Sequence, residues 1–419
     1  MITPSRPAKA AHSRADKAAP SRGPRITAIR TFLMQAGPLG VSGWAADVRN
    51  SITSGTRNWL FVKVETEDGI TGIGEGSGWP RVVEAAVQDM AHVVIGQDAF
   101  AIERLWQRMH VAIMGHGMSG VVGQGAINAI DMALWDIKGK ALGVPVWQLL
   151  GGKVRDSVRA YTHASTPDQA RAALAMGFGA LKTGGVKNPV EKATLIREAV
   201  GDAIDLMIDL HGPPWLTAPD AIAICKALAP LGPLFVEEPL APEDMDGYRR
   251  LRDQTDVPLA AGERHGGLHG IAPLLRHGLV DVVQPDAGRA GGITGLRKIA
   301  ALAEASFATM APHAGSLGPV AEFAAIHVLA SIPNALIHER MEPDWEGRAR
   351  TIATTLPLRD GYVLVPDAPG LGVEIDEDFV AAHPSIRNVG LPSGGWPIGT
   401  EDATLYAQPR HPRAAALKR

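Results

Sequence analysis

The chain has 419 residues, 46% of them hydrophobic and 20% charged, with 41 Lys and Arg against 44 Asp and Glu and one cysteine, Cys225. That length suits two or three domains, or one large barrel with an added piece, and it can bury an extensive core. A net charge of −3 offers no basic field for nucleic acid. A single cysteine excludes a disulfide framework or a multi-Cys zinc site, and no apolar run reaches the roughly 18 residues of a membrane span.

Residues 1–24 are rich in Ala, Pro, Ser, Arg and Lys and lack an apolar stretch of signal-peptide length, so they are expected to form a disordered tail on a cytoplasmic protein. From Arg25 the pattern is β-like. One strand begins at Ile26, a second is Trp59–Val64, and a third, Ile70–Gly74, follows a turn at Asp68-Gly69. Between the first two lies a Gly-rich stretch, Gln35–Gly55, long enough to be a functional lid. Residues 81–108 and 124–142 carry helical periodicity, which makes 25–152 an α+β domain.

After Gly152 short apolar runs alternate with helical segments. The runs are Val158–His163, Ala180–Gly184, Leu206–His211, Leu234–Glu238, Leu259–Arg264, Val280–Asp286, Thr309–His313 and Ala335–Arg340. Strands alternating with helices imply parallel pairing, and eight of them fit a closed β/α barrel over 153–346. An open doubly wound sheet is the alternative, but its glycine fingerprint is absent. From about Gly347 the alternation stops. Residues 347–419, with one more strand at Gly361–Val365, are expected to pack back on the N-terminal domain.

Chemistry in a barrel lies at the C-terminal ends of the strands, and polar residues end the runs here. Asp209, Glu237 and Glu263 end three successive strands and can converge on one point. Oxygen ligands without cysteine suit Mg²⁺ or Mn²⁺ better than Zn²⁺. Solvated loop charges are the bland alternative, but they do not account for three such residues in series. Asp286 ends the strand before His313, so the two can form a carboxylate–imidazole pair that orients the ring and raises its basicity. His211, two residues after Asp209, points to the same side of its strand. Lys182 is read as positive charge for an anionic substrate, and Glu339 as a further site carboxylate or a partner of Arg340. His327 and His277 read as packing residues. A metal that grips a substrate carboxylate stabilises the enediolate left when the α-proton is removed, and a second acid can then expel a β-hydroxyl as water.

These residues resemble the enolase superfamily in its mandelate racemase branch, nearest to the galactonate dehydratase-like sugar-acid dehydratases. The resemblance rests on Asp209, Glu237-Glu238-Pro239, Gly262-Glu263-Arg264, Asp286 followed by Gly291-Gly292-Ile293-Thr294, and His313. It extends through Ile130–Lys140, Pro145–Leu149, Pro258–Arg264 and Pro369–Asp376, and covers roughly residues 25–380. It implies a modified TIM-type (β/α)7β barrel with an N-terminal α+β capping domain. It implies Mg²⁺ on Asp209, Glu237 and Glu263, and His313 taking the C2 proton with Asp286 raising its basicity. His211 would protonate the leaving 3-hydroxyl, and Glu339 would steady the intermediate. Gln35–Gly55 and Ser77–Pro80 would be specificity loops. One departure is Lys182-Thr183-Gly184, where many relatives carry Lys-x-Lys and galactonate dehydratases a polar amide at the place of Gly184; the segment from Lys182 to Asp209 is also shorter.

The resulting expectation is a Mg²⁺-dependent hydro-lyase that converts an aldonic acid to a 2-keto-3-deoxy acid, working as a homo-oligomer without nucleic-acid or membrane partners. An epimerase or racemase using His211 and His313 as opposed bases is one alternative. A catalytically silent sugar-acid binding protein is the other.

Overall fold

The computed structural model describes residues 22–37, 57–117, 119–212 and 215–385. Nearly all of the N-terminal tail, most of the Gln35–Gly55 stretch and residues 386–419 lie outside them.

Three antiparallel strands in the order β1 (Ile26–Ala36), β2 (Arg57–Thr66) and β3 (Thr71–Gly76) open the chain. The periodic stretch expected over 81–108 is two helices, α1 (Pro80–Val94) and α2 (Ile102–Met114). The break comes at Gly96, whose φ of 80° stops α1, and the segment between the helices is pinned to the start of β1. Ile26 donates to Gln97 O, and the Asp98 carboxylate accepts from Phe100 N at 2.8 Å. Helix α3 (Val121–Leu142) is buried on almost every side, between the sheet and the barrel, and α4 (Val146–Leu149) follows. A helix enclosed in this way carries polar residues only where they are satisfied. Asn128 Nδ2 donates to Glu75 O and Ala287 O while its Oδ1 accepts from Gly292 N, so one side chain ties the end of β3 to the barrel loop after Asp286.

The barrel then runs β4 (Ser157–His163), α5 (Pro167–Ala175), β5 (Ala180–Gly184), α6 (Pro189–Val200), β6 (Asp205–Asp209), α7 (Ala218–Leu228) and β7 (Phe235–Glu237). It continues with α8 (Met245–Arg252), β8 (Leu259–Ala261), α9 (Gly267–Arg276), β9 (Val282–Val283), α10 (Gly292–Ala305), β10 (Thr309–Met310), α11 (Pro319–Ser331) and β11 (His338–Glu339). All eight expected strands form, and β4 to β10 pair in parallel order. The ring closes through β11, which pairs with β4, and through the bridge between Met310 and Ala335. Seven helices separate the eight strands, and β11 is followed only by the four-residue α12 (Gly347–Arg350), which gives a (β/α)7β barrel.

The remaining segment returns along both parts. Of its hairpin, β12 (Leu358–Arg359) and β13 (Tyr362–Leu364), the second strand lies antiparallel to β4. Helix α13 (Glu377–Ala381) packs on β1, and Lys63 Nζ of the neighbouring β2 meets Glu377 at 2.5 Å. Among the described residues no helix is long and apolar enough to cross a membrane.

The barrel interior is filled by one apolar layer, Tyr161, Ala180, Met207, Phe235, Ala260, Val282, Ala311 and Ile337, all at most 4% exposed. Inward-facing positions recur every second residue. One step further toward the strand ends the same columns hold His163, Lys182, Asp209, Glu237, Gly262, Gln284, His313 and Glu339.

Candidate active site

That second layer is where the chain gathers its buried charge. Asp209 and Glu237 are register partners on β6 and β7. Gly184, on β5, faces Asp209. A Cβ on Gly184 would lie 2.0 Å from the Asp209 carbonyl oxygen, so strand β6 leaves no room for a side chain there. Glu263 reaches the layer differently. By alternation it would point away, but Gly262 sits at φ 145° with Gln284 backbone 2.9 Å from its would-be Cβ, and this turn carries Glu263 inward.

The three carboxylates do not meet on one point. Among the described residues no three carboxylate, imidazole or thiol groups are placed to share an ion. Each is drawn instead to a cation of the chain. Lys182 Nζ lies 3.0 Å from both oxygens of Glu237 and 3.4 Å from Asp209. Glu263 pairs with Arg264 and, at 2.7 Å, with His313 Nε2. Arg264 also holds Glu238.

These cations do not settle the site. Burial, then Asp209, pushes the Glu237 carboxyl up to about 8. Gln284, buried in the same layer, has neither amide atom satisfied. Unsatisfied amide atoms in a buried layer mark a place short of hydrogen-bond partners. The donors there are all oxygen, the kind that fits a hard divalent cation, although in this structure Asp209, Glu237 and Glu263 turn to Lys182, His211, Arg264 and His313 instead.

The expected carboxylate–imidazole pair is present. Residues 286 and 313 form a parallel bridge, and His313 Nδ1 lies 2.7 Å from Asp286 Oδ2. Asp286 is itself fixed by Ser77 Oγ and Gly288 N, both at 2.8 Å, and by Arg289 at 3.3 Å. Burial opposes its charge, but Arg289 and His313 hold it below the usual carboxylate range. Burial also opposes a charged His313, yet Glu263 and Glu339 raise its proton affinity well above that of a free imidazole. His211 Nδ1 contacts Asp209 Oδ1 at 2.7 Å; against burial, Asp209 raises its basicity.

Glu339 pairs with Lys182 Nζ at 2.7 Å and not with Arg340, which turns to Glu322 and Glu342. Five residues take part to which the sequence reading gave no role here: His163, Ser77 as a partner of Asp286, Arg289, and the pair Glu238 and Arg264. His163 carried a usable signal, since it follows Tyr161 by one alternation, as Lys182 follows Ala180. His327 is a packing residue, held at 3.2 Å by Trp147 N and at 3.0 Å by Leu371 O.

Beside the dyad, between sheet and barrel, lies a cleft of about 370 Å³. Its walls include Trp59, Trp79, Arg81 and Arg289, with the 77–80 segment along one side.

Two family models match the chain. The mandelate racemase / muconate lactonizing enzyme N-terminal domain covers residues 45–151, and the enolase C-terminal domain-like model covers 165–379. D-galactonate dehydratase of Xanthomonas oryzae pv. oryzae (strain PXO99A) is 42% identical over 349 residues, spanning 77% of this chain and 90% of that protein. D-galactonate dehydratase of Klebsiella pneumoniae (strain 342) is 41% identical over 348 residues, with the same coverage. Among solved structures, the 3,6-anhydro-D-galactonate cycloisomerase from Zobellia galactanivorans superposes with a TM-score of 0.78 at 31% identity, covering 86% of this chain and 100% of that one. A mandelate racemase/muconate lactonizing enzyme-like protein from Roseovarius sp. TM1035 gives 0.77 at 32% identity, covering 86% and 95%.

Proposed function

The chain belongs to the mandelate racemase / muconate lactonizing enzyme family of the enolase superfamily, and from that premise we propose that it is a carbon–oxygen lyase that dehydrates a galactonate-like sugar acid to a 2-keto-3-deoxy acid. The observation that carries this reading is the Asp286–His313 dyad standing over a buried carboxylate cluster at the barrel mouth. A binding protein needs no oriented base.

Asp209, Glu237 and Glu263 would hold Mg²⁺, which when bound supplies positive charge to the substrate carboxylate and its enediolate. Asp286 accepts the Nδ1–H of His313 at 2.7 Å, which leaves Nε2 as the nitrogen that faces the site. The C2 proton passes to that nitrogen, and the C2–H electron pair becomes the enediolate. Asp209 likewise holds Nδ1 of His211, so its Nε2–H is the proton given to the departing 3-hydroxyl. Water leaves, and the enol that remains tautomerises to the keto acid. Lys182 places an ammonium at the same level for the anionic end of the substrate, and Glu339 steadies the intermediate through it. The cleft lined by Trp59, Trp79, Arg81 and Arg289 suits a hydroxylated chain, with apolar faces for its carbons and donors for its hydroxyls. We further place the enzyme in the cytoplasm as a homo-oligomer.

The test separates the two histidines. His313→Asn should abolish exchange of the C2 hydrogen with solvent deuterium. His211→Asn should block elimination while exchange continues. The reverse pattern would swap the assigned roles, and a C2 epimer as product in place of a keto acid would replace dehydration with epimerisation.

A further inference from the structure

Glu339 gathers four donors of the site, as many as Asp286 does. Its Oε1 accepts from Lys182 Nζ at 2.7 Å and His163 Nε2 at 2.6 Å. Its Oε2 accepts the backbone N–H groups of Ala314 and Gly315 at 2.7 and 2.8 Å, directly after His313, whose Nε2 lies 3.8 Å away. A carboxylate has about four lone-pair directions, and four donors occupy them.

His163 is the one side chain of this set with no part in the reaction above. It ends β4, its register partner on β5 is Lys182, and its ring lies nearly parallel to that of Tyr161, with centroids 6.3 Å apart and planes 14° apart. Burial lowers its proton affinity, which favours the neutral ring. A neutral imidazole against an ionised carboxylate must present its N–H there, which selects the Nε2–H tautomer.

We propose that His163 is a positioning residue of the site: its Nε2–H fixes the plane of Glu339, and through Glu339 the Lys182 ammonium and the 313–315 turn that carries His313. Lys182 cannot fix that plane alone. Its ammonium is also claimed by Glu237 at 3.0 Å and Asp209 at 3.4 Å, and its stem is long and flexible. An imidazole has only two side-chain torsions, and this one is packed on Tyr161. Misplacing a reacting group by about 1 Å costs on the order of 10²-fold in rate. What Glu339 and Lys182 serve rests on the dehydratase reading; the linkage through His163 does not.

The test uses two variants and one measurement on the unaltered chain. His163→Leu removes the donor and should lower the rate of C2 hydrogen exchange by about 10²-fold, with little change in thermal midpoint. His163→Gln keeps an N–H donor and should recover most of that loss. Exchange in His163→Leu at the wild-type rate, or His163→Gln as impaired as His163→Leu, would overturn the proposal. Nitrogen-15 NMR of histidine-labelled protein should show His163 as the Nε2–H tautomer, and Glu339→Gln should disturb that signal. An Nδ1–H tautomer, or indifference to Glu339→Gln, would overturn it as well. If the wild-type chain exchanges and dehydrates no sugar acid, the dehydratase reading fails while the NMR result still decides the linkage.

Discussion

Replacing Asp286 by Asn isolates the electrostatic part of the proposed base. The substitution keeps the side-chain shape and leaves an oxygen available to Ser77 Oγ and Gly288 N, but removes a charge 2.7 Å from His313 Nδ1. A unit charge about 4 Å from the centre of a developing imidazolium, at an effective dielectric constant of about 20, is worth about 4 kcal/mol. Arg289, 3.3 Å from the same carboxylate, already offsets part of that field, so about 3 kcal/mol is the working figure. The C2 exchange rate should then fall by roughly 10²-fold, at about 1.4 kcal/mol per tenfold. The assay is loss of the C2 proton signal in D₂O by NMR, followed beside the thermal midpoint. Exchange within about threefold of wild type in folded Asp286→Asn would refute Asp286 as a contributor to the basicity that His313 also draws from Glu263 and Glu339.

Gly184→Ala should lower the thermal midpoint and weaken Mg²⁺ binding in a calorimetric titration, because its Cβ would lie 2.0 Å from Asp209 O. Overpacking of this kind typically costs about 1–3 kcal/mol, and an unchanged midpoint with unchanged affinity would contradict the close approach. With no side chain at Gly184, turnover of sugar acids differing only at C2 should differ by roughly 10²- to 10⁴-fold, the usual value of general acid–base help. Comparable rates for both epimers would reveal a base on the β5 face. Burial lowers the His327 pKa to about 4, so its contribution is present above the free value of 6.5 and lost as pH falls toward 4. The loss amounts to about 3 kcal/mol. Urea unfolding between pH 7 and 4.5 should show a steeper fall for wild type than for His327→Gln, and parallel curves would contradict it.

Much of the site was legible because barrel strands alternate strictly. Once Ala180, Met207, Phe235, Ala311 and Ile337 face inward, Lys182, Asp209, Glu237, His313 and Glu339 must face the mouth. Glu263 breaks that rule, and its entry depends on the φ of Gly262, which no periodicity records. The pairing of Lys182 with Glu237, Asp209 and Glu339 was equally hidden, since it joins four strands spread along the sequence. His163 follows Tyr161 by one alternation, but its role comes from Glu339, 176 residues further along the chain, which no local pattern records. The single periodic stretch over 81–108 divides at Gly96, whose φ of 80° stops α1, and backbone contacts with β1 hold the segment between α1 and α2.

The most direct measurement of the central claim is product analysis with galactonate and its stereoisomers, using protein stripped with EDTA and then reloaded with Mg²⁺. The account predicts no turnover in the stripped protein, restored turnover on reloading, and a 2-keto-3-deoxy acid with one molecule of water lost per molecule of substrate. Full activity without metal, or a product that has kept both its hydroxyl groups at C2 and C3, would contradict it.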